Sequence, residues 1–89
     1  MKELSVSVPL DGEGLHVRPA SDFVKLASKF PCEIIVIKDG IEVNGKSIMG
    51  LMMLALAPGD QFLIRAEGEE EAEAVSSLQE LVAKNFTSE

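Results

Sequence analysis

The 89-residue sequence predicts an α+β fold in which helices cover one face of an antiparallel-rich sheet. The prediction rests on period-two apolar patterns typical of strands, apolar residues at helical spacing elsewhere, and turn-forming residues between these segments. The segments follow the order β-α-β-β-α-β-α. Because a strand-helix-strand connection is right-handed, the helices collect on one face and the fold becomes a two-layer open-faced sandwich.

The first third of the chain predicts a strand, a loop and a helix. Residues Leu4 to Val8 alternate between apolar and polar and stop at Pro9, which cannot donate to a strand ladder. A loop follows from Leu10 to Gly14. From Pro19 the apolar positions recur at helical spacing until Pro31 ends the helix. These apolar positions are Ala20, Phe23, Val24, Ala27 and Phe30.

The middle of the chain predicts a hairpin and a short helix. The strands Ile34 to Ile37 and Ile41 to Val43 flank Asp39-Gly40, a dipeptide that type I′ turns prefer. Ser47 can cap a helix that runs to about Ala57, because its hydroxyl can accept from an amide of the first turn.

The last third predicts a fourth strand and a final helix. Pro58-Gly59-Asp60 ends the preceding helix, and Phe62 to Ile64 forms the strand. Glu69 to Glu71 suit the positive end of a helix dipole. The apolar stripe of this helix is Ala74, Val75, Leu78, Leu81, Val82 and Phe86. Residues 1–89 are therefore predicted to form one domain.

Charge excludes several classes of partner. The net charge of −7 argues against nucleic acid or an anionic membrane as a partner, since both need a basic footprint. No apolar run approaches the length needed for membrane insertion. Residues 1–48 hold six basic and seven acidic side chains, whereas residues 49–89 hold two basic and eight acidic ones. The acidity thus lies mostly outside the half that contains His16. The basic residues that could give this half a positive potential are Arg18, Lys25, Lys29 and Lys46.

Composition also argues against a secreted protein or a metalloprotein. The N-terminus does not resemble a signal peptide, so a cytoplasmic protein is expected. Cys32 is the single cysteine and is expected to be buried and unreactive. With one cysteine and one histidine, no metal site is expected, and no cofactor either. A chain this short leaves little room for a deep cleft, so we do not expect an enzyme.

Candidate chemistry concentrates in the segment from Gly14 to Ala20. Pro19 belongs near the start of a helix, since it lacks an N–H that the first turn cannot pair anyway. The helix is therefore predicted to begin at about His16 or Val17. With His16 at the N-cap, the amides of Val17 and Arg18 form an anion site at the positive end of the dipole. A residue before proline disfavours α geometry, so Arg18 can also lie just outside the helix.

The setting of His16 favours a phosphoryl acceptor. A helix N-terminus disfavours the imidazolium by about 0.3–1 kcal/mol, which keeps the ring neutral and nucleophilic. A phosphoryl group on the ring would meet the same amides and the Arg18 guanidinium. Gly14 lets the chain turn tightly or approach a partner closely. The alternative is a surface or capping histidine. A hydrolase triad is disfavoured because so small a sandwich seldom offers a substrate pocket.

The short second helix predicts a docking surface. It is apolar almost all round, yet a two-layer fold buries only one side of it. At 100° per residue Leu51, Leu54 and Ala55 can face the sheet. Deeper burial of the whole helix is the alternative. The predicted partner-binding patch is Val17, Ala20, Ile48, Met49 and Met52, with Met53 an alternative to Ile48.

Two motifs resemble those of HPr, the histidine-containing phosphocarrier family of the bacterial phosphoenolpyruvate-dependent sugar phosphotransferase system. Gly14 to Ala20, with the sequence GLHVRPA, resembles the family's active-site signature. Lys46 to Met52, with the sequence KSIMGLM, resembles its second motif. The likeness covers essentially the whole chain in length and element order. It implies a four-stranded antiparallel sheet covered on one face by three helices.

The resemblance also implies roles for single residues. His16 would accept a phosphoryl group on Nδ1 from Enzyme I, with phosphoenolpyruvate as the ultimate donor, and pass it to enzyme IIA domains of sugar transporters. Arg18 would help to hold and transfer the group. Ser47 matches the serine that an HPr kinase/phosphorylase modifies in carbon-catabolite control, where a catabolite-control transcription factor would be a further partner. We expect a monomer.

The sequence departs from the family pattern at two positions. Glu13 stands where a small polar residue such as Asn is usual, and Val17 stands where Ala or Thr is more usual. Glu13 places negative charge near the phosphate and is expected to slow phosphorylation.

Three alternative functions stay open. The first is a nitrogen-branch phosphocarrier, which we expect to lack the Lys46 to Gly50 motif. The others are a purely regulatory HPr-like binding module and a ligand-sensing or acylphosphatase-like domain.

Overall fold

The computed structural model describes residues 1–12, 14 and 17–86. Within these residues the order of elements is the predicted one. The elements are β1 (Lys2–Ser7), α1 (Val17–Ala27), β2 (Glu33–Lys38), β3 (Ile41–Asn44), α2 (Ile48–Met53), β4 (Gln61–Glu67) and α3 (Glu71–Ala83). None of the helices in this part of the chain is long and apolar enough to cross a membrane.

The strands form one sheet in the order β1-β4-β2-β3, with every neighbouring pair antiparallel. Strand β4 lies between β1 and β2, and β2 lies between β4 and β3. The connections through α1 and α2 therefore each cross over an intervening strand. Right-handed crossovers of this kind place both helices on the same face of the sheet. The predicted open-faced sandwich is confirmed.

The hydrophobic core lies between the sheet and the helices. Strand β4 alternates strictly, with Phe62, Ile64 and Ala66 buried and the residues between them more exposed. On α1 the buried residues are Ala20, Phe23 and Ala27. On α3 they are Ala74, Val75, Leu78, Leu81 and Val82. The apolar stripes that the sequence predicted for the two helices therefore face the core. Phe30, which was predicted within α1, is buried beyond the end of that helix at Ala27.

The hairpin between β2 and β3 turns at Asp39 and Gly40, as predicted. Their φ angles are 50° and 80°, so both central residues have the positive φ that a type I′ turn requires. The turn sets the register in which Lys38 pairs with Ile41 and Ile37 with Glu42. The short β3 strand is thereby held at the edge of the sheet.

Helix α2 is shorter than predicted, because it ends at Met53 and does not continue to Ala57. The reason is Ala55, whose φ of 51° is left-handed and incompatible with a further helical turn. The Ala55 amide instead donates to the carbonyl of Met52 at 3.2 Å. Ala55 is also exposed, so the expectation that it faces the sheet is wrong. The chain leaves α2 in a compact loop from Leu54 to Asp60.

Replacing Ala55 by glycine is expected to stabilise the protein by about 0.5–1 kcal/mol, because the left-handed strain of about 1–2 kcal/mol exceeds the entropic cost of glycine. Thermal unfolding should shift upward by roughly 2–6 °C. The control is Ala57→Gly, in the same loop at a residue without a positive φ, which should destabilise the protein slightly. Equal melting temperatures for the two variants would contradict the prediction.

Candidate functional site

The N-terminus of α1 is the centre of the candidate site. The helix begins at Val17, within the predicted range, and Arg18 is its second residue. Arg18 therefore lies inside the helix, and the alternative that Pro19 displaces it is wrong. Pro19 falls in the first turn, where its missing N–H interrupts no helical hydrogen bond. Val17 and Arg18 are both exposed, with Val17 at 64%. His16 lies outside the described residues, directly before Val17 in the sequence.

The electrostatics of the first turn of α1 suit an anion. The first amides of a helix have no partner within the helix and point along its axis at the positive end of the dipole. The first turn of α1 contains no acidic residue and carries the Arg18 guanidinium. Positive charge therefore concentrates at this helix end.

The start of α3 provides a contrast, because acidic side chains of the helix occupy it. Glu71 and Glu73 lie in its first turn. The Glu71 carboxylate accepts from the amide of Gly68 at 3.0 Å and pairs with the amino group of Met1 at 2.8 Å. The hydrogen bond from the Met1 amino group and that from the Gly68 amide lower the pKa of Glu71. The positive end of the α3 dipole is therefore compensated by carboxylates of the same helix.

Gly14, which precedes this site in the sequence, packs closely against the loop that follows α2. Its φ is +82°, and it is buried against the loop that follows α2. A Cβ at this position would lie 2.7 Å from the carbonyl oxygen of Leu56 and 3.2 Å from Ala57 Cα and Pro58 Cδ. Gly14 has the positive φ that glycine adopts readily, and its close approach is to a segment of the same chain.

An ion pair that the sequence analysis missed holds the loop against which Gly14 packs. Lys38 Nζ donates to Asp60 Oδ2 at 2.8 Å and lies 3.4 Å from the Leu54 carbonyl oxygen. The same Asp60 oxygen accepts from the Ala57 amide at 2.9 Å. The hydrogen bond from Lys38 and then that from Ala57 lower the pKa of Asp60 below its ordinary value of 3.8. The partners are far apart in sequence, so no local pattern could reveal the pair.

Ser47 caps α2 as predicted. Its hydroxyl oxygen accepts from the Gly50 amide at 3.0 Å, and its own amide donates to the Asn44 carbonyl at 3.0 Å. The side chain is partly exposed. The neighbouring Lys46 donates from Nζ to the carbonyl oxygen of Phe30 at 2.7 Å, just beyond the end of α1.

Helices α1 and α2 consequently run in opposite directions. Lys46, before the start of α2, reaches the residues that follow α1, whereas the loop that follows α2 packs on Gly14, before the start of α1. Lys46 is therefore placed away from Arg18, at the opposite end of a helix about 16 Å long. Lys25 and Lys29 also lie toward that end. The four basic residues do not converge on the site, and Arg18 alone supplies positive charge in the first turn of α1.

The predicted partner-binding patch is partly corrected. The exposed fractions are 64% for Val17, 39% for Ile48, 77% for Met49 and 78% for Met53. Met52 is half-buried against the core. Ala20 is fully buried on the inner face of α1, so it cannot contact a partner. Leu51 and Leu54 are buried, as predicted.

The exposed patch, defined as Val17, Ile48, Met49 and Met53, lies on two neighbouring helices. Met53 belongs to it more clearly than Met52, because residues four apart lie on the same helix face and Met53 follows Met49 at that spacing. The alternative of a deeply buried α2 is wrong. Methionine side chains are flexible and polarisable, so such a patch can adapt to differently shaped surfaces.

Fold and site together define a small open-faced α+β protein that presents a cationic helix N-terminus beside an exposed apolar patch. The family described as "PTS HPr component phosphorylation site" matches residues 5–84. The chain is 52% identical over 69 residues to the phosphocarrier protein HPr of Borreliella burgdorferi, covering 78% of this chain and 80% of that protein. This chain therefore belongs to the HPr family of phosphocarrier proteins of the phosphotransferase system.

Solved structures agree with this assignment. The crystal structure of HPr-C-His from Thermoanaerobacter tengcongensis matches with a TM-score of 0.92 and 44% identity, covering 100% of this chain and 99% of that one. The crystal structure of Bacillus subtilis Crh, a catabolite repression protein described as a dimer with a swapped domain, matches with a TM-score of 0.76. It is 43% identical, covering 83% of this chain and 85% of that one.

Proposed function

We propose that His16 is the phosphoryl acceptor of this phosphocarrier. Enzyme I, charged from phosphoenolpyruvate, would supply the phosphoryl group, and enzyme IIA domains of sugar transporters would receive it. The observation that carries the proposal is the first turn of α1, directly after His16, which combines amides that have no acceptor within the helix, Arg18 and no acidic residue. In the transfer, the lone pair on Nδ1 forms the N–P bond while the bond from phosphorus to the donor breaks.

Arg18 and the backbone amides of Val17 and Arg18 would stabilise the product. A phosphoryl group adds about −1.5 to −2 charges, which a guanidinium and the positive helix end both attract. Arginine can hold two phosphate oxygens at once, which fixes the orientation as well as the charge. The same groups would neutralise charge on the phosphoryl group during transfer in either direction. The protein thus acts as a carrier on which partner enzymes work, without a catalytic cycle or cofactor of its own.

The exposed patch would dock the partners. Val17, Ile48, Met49 and Met53 lie on the two helices beside the site, and Met52 contributes its exposed part. A carrier must bind one donor and several acceptors in turn, which favours adaptable methionine over a rigid polar contact. We propose that residues 1–89 act as one cytoplasmic domain and as a monomer. A single species of monomer mass in light scattering would support this, and a dimer would contradict it.

The direct test is phosphorylation in solution. Incubation with phosphoenolpyruvate and Enzyme I should add one phosphoryl group, detected by mass spectrometry, that is lost in acid and retained in base. N-linked phosphohistidine has this lability, whereas phosphoserine survives acid. Failure to gain the group under conditions that label an established HPr would contradict the proposal.

A regulatory role at Ser47 is a second proposal on the same chain. An HPr kinase/phosphorylase would modify the hydroxyl, and the product would bind a catabolite-control transcription factor. The sequence motif from Lys46 to Met52 and the partial exposure of Ser47 favour it. A phosphate at the start of α2 would stabilise that helix and change the charge beside Ile48 and Met49. Partners that dock on the exposed patch would then meet a different surface.

The loss of the Ser47 cap has a measurable effect independent of regulation. Ser47→Ala should lower the free energy of unfolding by about 1 kcal/mol, because the Gly50 amide loses its acceptor. Urea unfolding measures this change. Ser76→Ala, at an exposed position inside α3, is the control and should change stability by less than about 0.5 kcal/mol. A neutral Ser47→Ala would mean that another group caps α2.

A purely regulatory module is the competing function, and the likeness to Crh favours it. Such a protein would be modified at Ser47 and would not carry phosphate on a histidine. His16 followed by the cationic first turn of α1 favours the carrier. Labelling by Enzyme I separates the two functions, since only the carrier gains the acid-labile group.

Glu13, which lies outside the described residues, is proposed to slow phosphorylation by electrostatic repulsion. Glu13→Asn should raise the rate of phosphorylation by Enzyme I about twofold to fivefold, since an exposed like-charge pair costs about 1 kcal/mol or less. The gain should shrink at high ionic strength, where such charges are screened. Glu73→Gln, in the first turn of α3, is the charge-matched control. Unchanged rates for Glu13→Asn at low salt would refute the repulsion.

A further inference from the structure

The loop from Leu54 to Asp60 is built around one carboxylate. Asp60 accepts from the ammonium group of Lys38 and from the Ala57 amide, so it closes the loop on itself and ties it to the end of β2. Lys38 also reaches the Leu54 carbonyl, at the C-terminal end of α2, where a cation interacts favourably with the helix dipole. The Lys38 side chain is only 20% exposed and that of Asp60 32%. The pair is therefore partly shielded from water.

The same loop is joined to Val8 and Leu10, which precede Gly14 in the chain. Val8 donates to the Asp60 carbonyl at 2.8 Å and accepts from the Gly59 amide at 2.9 Å. These bonds extend the β1-β4 pairing beyond the strands, up to the point where the chain enters Leu10 to Gly14. A Cβ on Gly59 would lie 3.0 Å from the Leu10 side chain, so the contact is close there too.

Gly14 completes the connection. It is buried against Leu56, Ala57 and the Pro58 ring, in the part of the loop that the hydrogen bond between Asp60 and Ala57 closes. Gly14 lies two residues before His16 in the sequence, and α1 begins at Val17, one residue after His16. A few short contacts therefore lead from Lys38 through Asp60 and the loop to Gly14.

We propose that Lys38 and Asp60 are positioning residues for phosphoryl transfer, acting through the Leu54 to Asp60 loop on Gly14 and thereby on His16. This rests on the proposed role of His16. The pair would act without contacting the phosphoryl group itself. It sets the surface against which Gly14 packs. Small displacements of a reacting group are costly, with about 1 Å sufficient for up to a hundredfold loss of rate.

The test compares Asp60→Ala and Asp60→Asn with Glu3→Gln. The control removes the acid of another ion pair, to Arg65 at 3.1 Å, with a side-chain exposure of 37%, on the sheet face away from the helices. Asp60→Ala should lower kcat for phosphorylation by Enzyme I about fivefold to tenfold and change KM less than twofold, since the docking patch is retained. Asp60→Asn keeps an acceptor for Ala57 and should lose less. Glu3→Gln should stay within twofold of the wild type.

The ring of His16 provides a readout that needs no partner enzyme. In NMR titrations, its proton shifts and titration midpoint should change in Asp60→Ala and stay the same in Glu3→Gln. Lys38→Arg can still bridge Asp60 and the Leu54 carbonyl, so it should keep the wild-type shifts and titration midpoint of His16. Lys38→Met should change them. Circular dichroism checks that each variant is folded. If Asp60→Ala unfolds, the same comparison is made with Asp60→Asn.

The outcomes separate the two proposals. A wild-type protein that Enzyme I does not label refutes the role of His16, whatever the variants do. A labelled wild type with unchanged kcat and an unchanged His16 titration in Asp60→Ala refutes the positioning role alone. Equal losses in Asp60→Ala and Glu3→Gln would also refute it, because they would reflect general stability.

Discussion

Replacing His16 by alanine is expected to abolish phosphorylation by Enzyme I, with a fall in rate of more than about a thousandfold. The loss should be this large because the variant lacks the atom that forms the bond to phosphorus, and binding contacts cannot replace a nucleophile. Mass spectrometry after incubation with phosphoenolpyruvate and Enzyme I measures the result directly. The folded state should survive, which thermal unfolding of the unphosphorylated variant would verify.

The composition of the chain makes this experiment unusually direct. His16 is the single histidine, so any acid-labile, base-stable phosphoryl group on the protein can be assigned to it. Ser47→Ala is the matched control, since it removes the other proposed phosphorylation site and should leave labelling by Enzyme I intact. Acid-labile label that persists on His16→Ala would contradict the assignment. Loss of the label in Ser47→Ala would point to a different acceptor.

The parts of the fold that the sequence predicted correctly are those governed by local periodicity. In β1 Val6 is buried between the exposed Ser5 and Ser7, and Asp39-Gly40 adopts the two positive φ angles of its turn. The start of α1 followed from Pro19, and the Ser47 cap followed from its position before an apolar run. Each of these depends on residues within a few positions of one another, which a pattern can represent.

The predictions that were wrong concern residues whose burial or backbone conformation is determined by tertiary packing. Ala20 belongs to a functional motif, yet it faces the core because residues three and seven positions on, Phe23 and Ala27, define the buried side of α1. Helix α2 stops early at Ala55, a residue with no intrinsic preference for the left-handed conformation. The surrounding loop imposes that conformation, and its ion pair joins Lys38 to Asp60 across 22 positions.

Gly14→Ala is expected to be the most destabilising single change at the site, with a loss of about 2–5 kcal/mol in the free energy of unfolding. Left-handed φ costs a residue with a Cβ about 1–2 kcal/mol. The new methyl group would also lie 2.7 Å from the Leu56 carbonyl oxygen, and forcing backbone apart costs about 1–3 kcal/mol more. Thermal unfolding should fall by roughly 10–20 °C.

The chain provides a control that separates strain from collision. Gly40 has nearly the same φ, +80°, but a Cβ there would meet no atom within 4 Å. Gly40→Ala should therefore cost only the backbone strain of about 1–2 kcal/mol and leave phosphorylation unchanged below its melting temperature. Gly14→Ala should slow phosphorylation even where it is folded, because the Leu56 to Pro58 backbone must move away from the residue that precedes the site. If both variants lose the same stability and the same rate, the packing of Gly14 on that loop has no role in shaping the site. A larger loss of both in Gly14→Ala would show that this packing, and not the turn alone, requires glycine.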